Sequence, residues 1–381
     1  MFNADETHMV GSRYCVHDLL EIHVSRGVTK NIVKMLDFQL GSLKDIRNDH
    51  PVDYKLAIKP YDDFEFEPGA TIINLWQASG VTDCSYNNPK EELALTKDGN
   101  SLVIYASKRN FPINMFIQFM LMGQGFSLLP AAALVDQDNN ATLLTGAGGT
   151  GKTTITLSAV KNGNYRLLGD DTVCIARAGY GLSYPREFTI KDYHSNTFPE
   201  YFSTTANSRK QGSRSFKKTF IKQLIGNMPF LGLLNILLQK LDQPELLKKV
   251  LPDFSPRKPN GLVRTVPVEA IYGQHKIVTR ADIGQIIYLE RYNGDSFATG
   301  TMEPDMLASR LCALLHNEWA LSARRLCLIS VLGLVDFDKF ISQSREIIYE
   351  AIKGRQCEYL RIPVSCTPEA LSRYYLSHYA A

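Results

Sequence analysis

The 381-residue chain contains no Cys-x-x-Cys pair, and its seven cysteines are scattered singly from Cys15 to Cys366. An odd count of isolated thiols suits neither a disulfide framework nor a zinc site, and reads as reduced cysteine in a cytoplasmic protein. Long hydrophobic runs are also missing. The longest, Met228 to Leu238 and Leu326 to Val335, fall short of the roughly 18–20 apolar residues that span a bilayer, so no transmembrane segment is expected. The opening MFNADETHMV places Asp5 and Glu6 where a secretory leader carries positive charge and then an apolar block, and export is not expected. Charge of one sign is scarce: 42 Lys and Arg against 39 Asp and Glu leave +3, which gives nucleic-acid binding no global electrostatic support. Neither a fixed-period repeat nor a low-complexity linker is present.

What remains is an ordinary globular composition. Hydrophobic residues make up 44%, with 18 Phe and 18 Tyr, enough to build a core and too many for a disordered chain. At about 150 residues per domain the length corresponds to roughly two or three. Residues 1–110 read as a β-rich N-terminal domain of short alternating segments, among them Tyr54 to Lys59 and Leu93 to Ser107, the latter broken by the turn residues Lys97-Asp98-Gly99-Asn100. Residues 111–381 read as a second domain. It opens after Pro112 with the helix INMFIQFMLM, apolar nearly all round and closed by Gly123 and Gly125. Two strands follow, Ala131 to Val135 and Ala141 to Thr145, joined by the turn-forming Asp136–Asn140 segment. Next come a glycine loop, a helix over Thr153 to Lys161, and a strand over Tyr165 to Leu168 that ends in Gly169-Asp170-Asp171. This succession predicts a βαβ unit, with the aspartate strand lying beside the strand before the loop. Residues of about 204–260 differ in texture and read as a helical insertion: Arg209, Lys210, Arg214, Lys217, Lys218 and Lys222 carry no acid among them, and the apolar run from Met228 follows. A strand over Ile283 to Leu289, helices over Pro304 to Trp319 and Asp338 to Lys353, a strand over Glu358 to Pro363, and a helix with Thr367 as cap and Pro368 at its first position complete the pattern.

The strongest chemical signal is Gly146-Ala147-Gly148-Gly149-Thr150-Gly151-Lys152-Thr153, which satisfies the phosphate-loop pattern GxxxxGK[ST] at every fixed position. Placed between a strand and a helix, its amides and the helix N-terminus can converge on an anion, and the glycines admit close approach of phosphate to backbone. Gly146, Gly148, Gly149, Thr150, Gly151, Lys152, Thr153 and Thr154 are therefore the candidate nucleotide-binding residues. Lys152 would reach the β- and γ-phosphates, and the Thr153 hydroxyl would enter the Mg²⁺ shell. Asp170 and Asp171 follow at a strand end, Asp170 only 18 positions after Lys152, close enough for one carboxylate to hold Mg²⁺ and the other to take a proton from an attacking hydroxyl.

The stretch TGAGGTGKTTITLSAVKNGNYRLLGDDTVCI resembles the nucleotide-binding core of the HPr serine kinase/phosphorylase family. Its GTGKTT and GDD pieces are also similar to ATP-dependent phosphoenolpyruvate carboxykinase, which shares that fold. The likeness extends over roughly residues 126–195, and loosely over 263–292. It implies an α/β protein with a phosphoenolpyruvate-carboxykinase/HPr-kinase-like core, joined here to the β-rich N-terminal domain and the helical insertion. It also implies ATP and Mg²⁺ as cofactors, Asp170 as catalytic base and Asp171 as the metal-binding carboxylate, an order that residue spacing alone leaves reversible. Where HPr kinases carry His before the loop this chain has Pro130, so the resemblance implies the reaction type and not HPr as the acceptor.

Arg186, within YPREFTIK, is the cation placed to assist transfer, with Lys191 beside it. A solvated surface charge is an equal reading of Arg186 and Lys191, whereas Arg264 and Arg280 read first as surface residues and His194 as a structural one. The function expected is transfer of a phosphoryl group from ATP to a hydroxyl of a protein serine or a small molecule. A nucleotide-binding regulatory or assembly protein without transfer is the alternative, and a homo-oligomer is left open. The paired aspartates favour the kinase, since a pure sensor needs one Mg²⁺ carboxylate.

Overall fold

The computed structural model describes residues 10–45, 52–65, 71–74, 79–82, 85–89, 92–98, 100–108, 113–184, 186, 188–190, 264–318, 330 and 336–379. Residues 1–188 and 266–381 form one compact unit, and 189–265 a second. The basic run 209–222 and the apolar runs 228–238 and 326–335 lie, apart from residue 330, outside the described residues.

The fold is mixed α/β. Eight strands, β1 (Val10–Val16), β2 (Leu20–Ser25), β3 (Tyr54–Lys59), β4 (Thr71–Asn74), β5 (Ser79–Thr82), β6 (Ser85–Asn88), β7 (Leu93–Asp98) and β8 (Ser101–Ala106), form a first sheet in the order β1-β2-β3-β8-β7-β6-β5-β4. Helix α1 (Lys30–Leu40) interrupts this region, in which the sequence pattern marked strands and no helix. Its buried residues Ile32, Leu36 and Leu40 recur every four positions along one face, the spacing of an amphipathic helix. Helix α2 (Ile113–Met122) is buried almost all round, as its composition requires. Its one buried polar residue is fully satisfied: Leu128 N donates to Gln118 Oε1 at 2.6 Å, and Gln118 Nε2 donates to Ser127 Oγ at 2.8 Å.

A nine-stranded second sheet carries the glycine loop. Its strands are β9 (Phe126–Leu129), β10 (Ala131–Val135), β11 (Asn140–Thr145), β12 (Arg166–Gly169), β13 (Val173–Ala176), β14 (Tyr180–Ser183), β17 (Arg280–Tyr292), β18 (Ala298–Thr301) and β19 (Gln356–Pro363). Between β14 and β17 come the short paired strands β15 (Phe188–Ile190) and β16 (Arg264–Val266). Helix α3 (Lys152–Asn162) follows the loop, and α4 (Val268–Tyr272), α5 (Pro304–Glu318), α6 (Phe337–Ile352) and α7 (Pro368–Tyr379) come later. Asp136 Oδ1 accepts from Asn140 N at 2.8 Å and closes the β10–β11 hairpin. That hairpin corrects the expected βαβ unit: β10 lies between β11 and β12 and pairs antiparallel with both. The aspartate strand is therefore one strand removed from the loop strand. It still runs in the same direction, so both end on the same side of the sheet.

On its other edge β11 pairs in parallel with β17, and β17 in parallel with β19. Three carboxyl ends thus meet at the loop, where open α/β sheets bind ligands. Thr367 caps α7 as expected, its Oγ1 accepting from Ala370 N at 3.3 Å, and Asp336 caps α6, its Oδ1 accepting from Lys339 N at 2.8 Å. One buried cluster runs from the first sheet and α1 through α2 to Cys174, Leu182 and Phe340, and a second fills the space around β10, β11, β17 and α5. Among the described residues no helix is long and apolar enough to cross a membrane.

Candidate functional site

The loop from Gly146 to Gly151 turns β11 into α3 through three glycines with positive φ, Gly146 at 140°, Gly149 at 82° and Gly151 at 112°. At two of them space as well as φ demands glycine. A Cβ on Gly146 would run into the Leu289 carbonyl oxygen of β17, and one on Gly151 into the Leu371 side chain of α7. The loop is thereby pressed between the end of β17 and the start of α7, with the first amides of α3 free of side-chain caps. Thr150 Oγ1 donates to Ala147 O at 2.9 Å and holds the curve from within. Lys152 folds back over the loop, its Nζ donating to Gly146 O at 2.6 Å and Ala147 O at 3.2 Å. Gly148 has nothing near the position of a Cβ. Thr154 faces α7, where Ser372 Oγ donates to its carbonyl at 3.5 Å.

The two aspartates are separated by one abrupt turn. Asp171 has φ +98°, a conformation that costs a non-glycine residue on the order of 1–3 kcal/mol and persists only where surroundings enforce it. Asp170 points inward and is 5% exposed. Its Oδ1 accepts from Thr153 Oγ1 at 3.3 Å, and its Oδ2 from the Tyr272 hydroxyl of α4 at 2.8 Å. Thr156 Oγ1 lies 3.2 Å from the same phenol. Burial pushes the Asp170 carboxyl up to about 6, and the neighbouring Asp171 charge adds to the rise; the Tyr272 and Thr153 hydrogen bonds and the Lys152 charge oppose it. Burial likewise raises the Tyr272 phenol well above its ordinary value, helped by the Asp170 charge. Asp171 points outward, its side chain 58% exposed, and takes an ion pair from Arg186 Nη1 at 2.7 Å. The guanidinium of Arg186 lies over the Phe38 ring, 5.0 Å from its centroid.

The structure thus brings together the loop, Thr153, Asp170, Asp171 and Arg186. Arg280 is elsewhere: it begins β17, at the end of the sheet opposite the loop, and stacks on Tyr180 at 3.8 Å. Lys191, His194 and the Arg264 side chain lie outside the described residues. Two residues that sequence reasoning did not single out stand at the site. Tyr272 comes from a position 102 residues beyond Asp170, and no local pattern announces it. Arg291 is the penultimate residue of β17, its Nη1 donating to Pro363 O at 2.9 Å and Cys366 O at 3.4 Å, while its Nη2 lies 4.0 Å from where a Gly151 Cβ would sit. The rule that ligands gather at carboxyl ends of parallel strands would have found it. Among the described residues no group of three or more His, Cys, Asp and Glu gathers as a metal cluster.

No family model matches the chain, and no curated protein sequence matches it. Among solved structures it is similar to the HPr(Ser) kinase/phosphatase from Coxiella burnetii, at 9% sequence identity and a TM-score of 0.25, over 66% of this chain and 95% of that one. Similarity at this level is a distant structural relationship and says nothing about individual residues.

Proposed function

We propose that the chain is an ATP- and Mg²⁺-dependent phosphotransferase acting on a hydroxyl acceptor. The observation that carries this reading is the 3.3 Å contact between Thr153 Oγ1 and Asp170 Oδ1, which joins the hydroxyl of a complete phosphate loop to a buried carboxylate. That hydroxyl–carboxylate pair is the donor set that recurs for Mg²⁺ on a loop-bound nucleotide. The loop amides and the N-terminus of α3 hold the phosphates, and Lys152 exchanges its loop carbonyls for phosphate oxygens. Bound Mg²⁺ would neutralise charge on the β- and γ-phosphates. Thr153 and Asp170 are the residues to hold it, and Tyr272 fixes the Asp170 carboxylate from behind.

Asp171 is then the proton acceptor, the reverse of the order that the family resemblance implies. Its carboxylate is the outward one of the pair and can meet an incoming hydroxyl, whereas that of Asp170 is enclosed between Thr153 and Tyr272. Arg186 orients Asp171 and can neutralise charge on the group in transfer. The test is incubation of a cell extract with γ-labelled ATP and either wild type, Lys152→Ala or Asp171→Asn. Label on a protein or metabolite with wild type alone supports the reading. ATP binding by wild type with no label transferred would leave the nucleotide-gated regulator.

A further inference from the structure

A cleft of about 180 Å³ opens beside Arg186. Its polar wall is Asn114, Thr172 and Arg186, and its apolar wall includes Leu129, Pro130 and Leu315. Two of these residues tie it to the reaction centre. Thr172 directly follows Asp171, and Arg186 is the ion-pair partner of Asp171. A third ties it to the loop: Pro130 O accepts from Thr145 Oγ1 at 3.0 Å, and Thr145 directly precedes Gly146. The cleft is therefore bordered by the residue that follows Asp171 and by the ion-pair partner of Asp171, and its Pro130 wall is hydrogen-bonded to the strand that leads into the phosphate loop.

Its polar groups are preset. Asn114 Oδ1 accepts from Tyr184 OH and its Nδ2 donates to Gln39 Oε1, both at 3.1 Å, so the amide is fixed with one N–H and one lone pair to spare. Thr172 makes no side-chain hydrogen bond to the described residues. Arg186 gives Asp171 one of its five N–H donors and is held in place over Phe38. One cation with donors to spare beside neutral donors and acceptors complements a small anion that also carries hydroxyl groups. A protein cavity of about 150 Å³ holds a molecule the size of benzene. That is room for a molecule of a few carbon atoms.

We propose that this cleft is the acceptor subsite and takes a small anionic hydroxy compound, a carboxylate or phosphate ester of a few carbons, in place of a protein serine; this rests on the kinase reading above. Arg186 binds the anionic group and Asn114 and Thr172 orient the hydroxyl. The hydroxyl oxygen bonds to the γ-phosphorus of ATP as the bond from that phosphorus to the β–γ bridging oxygen breaks. The hydroxyl proton passes to the Asp171 carboxylate, and ADP leaves.

The experiment separates a cell extract into retained protein and an ultrafiltrate of small molecules, and splits the ultrafiltrate on an anion-exchange resin. Each fraction is given to the full chain with Mg²⁺ and γ-labelled ATP. The anionic small-molecule fraction is expected to accept label and, with a non-hydrolysable ATP analogue in place of ATP, to raise the melting temperature of the wild type. Asn114→Leu and Thr172→Leu, each checked for cooperative unfolding and ATP binding, are expected to lose both effects by about tenfold or more in the concentration required, the scale of one well-placed polar contact. Label on the protein fraction alone, on the unbound small-molecule fraction alone, or unaltered by both substitutions overturns the inference and leaves the kinase reading standing. No label in any fraction overturns both.

Discussion

Thr153 and Asp170, separated by a helix and a strand of sequence, meet at 3.3 Å between Oγ1 and Oδ1, and the Asp170 carboxylate is almost wholly buried. A carboxyl raised to about 6 by burial competes for a proton with any cation that would bind it. Mg²⁺-dependent nucleotide binding is therefore expected to weaken as pH falls through about 6, while nucleotide binding measured with EDTA changes far less. Titration calorimetry at pH 5.5 and 8 reads the difference directly, and equal Mg²⁺ dependence at both would remove Asp170 from the metal site.

The same group has a consequence for folding. The native protein holds the Asp170 proton more tightly than the unfolded chain, whose carboxyl titrates near 3.8. Stability thus falls as pH rises from about 4 to about 6, and the loss persists above 6. Asp170→Asn, neutral at every pH, is expected to stabilise the nucleotide-free protein by up to about 3 kcal/mol at pH 8, two pKa units at about 1.4 kcal/mol each. The gain should shrink towards nothing near pH 4. Denaturant midpoints across that range test it, and a variant no more stable than wild type at pH 8 would mean that the Asp170 carboxyl is not raised in the folded protein.

Asp171 separates from Asp170 in the opposite sense. Being exposed and paired to Arg186 at the surface, it adds little to stability, since such pairs are worth roughly 0–1 kcal/mol. Asp171→Asn is expected to keep the melting temperature and the ATP affinity while lowering phosphoryl transfer by about 10²–10⁴, the range for loss of a general base. If Asp170→Asn loses transfer with Mg²⁺ binding intact and Asp171→Asn does not, the order implied by the family resemblance is the right one.

How legible these relationships were depended on their range in sequence. The phosphate loop is local, and its glycines announce both the turn and the phosphate approach. The buried helix α2 and the Thr367–Pro368 start of α7 are local too. The position of β12 was not, although its cause was on the page: the Asp136–Asn140 turn folds β10 back against β11 and occupies the edge that the aspartate strand would have taken. Helix α1 was hidden by the alternating segments around it, even though Ile32, Leu36 and Leu40 keep helical spacing. Tyr272 and Phe38 were beyond reach, because each is aimed at the site by packing across the unit and by no motif of its own.

The loop glycines divide into two kinds, which substitution to alanine can tell apart. Gly148 has open space at its Cβ position, so Gly148→Ala is expected to leave stability within about 1 kcal/mol while weakening ATP, because the methyl group occupies the space a phosphate needs. Gly146→Ala drives a methyl into the Leu289 carbonyl of β17, backbone that cannot step aside, and is expected to lower the melting temperature as well. Normal ATP affinity in a well-folded Gly148→Ala protein would place the phosphates away from the crown of the loop.

Arg291 offers the sharpest separation of structural from ligand-binding effects. Its Nη1 bridges Pro363 O and Cys366 O, latching the end of β19 to the start of α7, while its Nη2 faces the Gly151 turn. The planar fork can serve both ends at once, which a lysine ammonium cannot. If Nη2 contacts the nucleotide phosphates, Arg291→Ala should weaken ATP and ADP by about 10- to 150-fold, the equivalent of 1.5–3 kcal/mol for a hydrogen bond to a charged group. The loss should shrink in high salt and be absent for adenosine. Arg291→Lys should recover part of the stability through its stem and little of the affinity. A latch alone would give the opposite pattern, with a lower melting temperature in Arg291→Ala and unchanged ATP affinity in the fraction that remains folded.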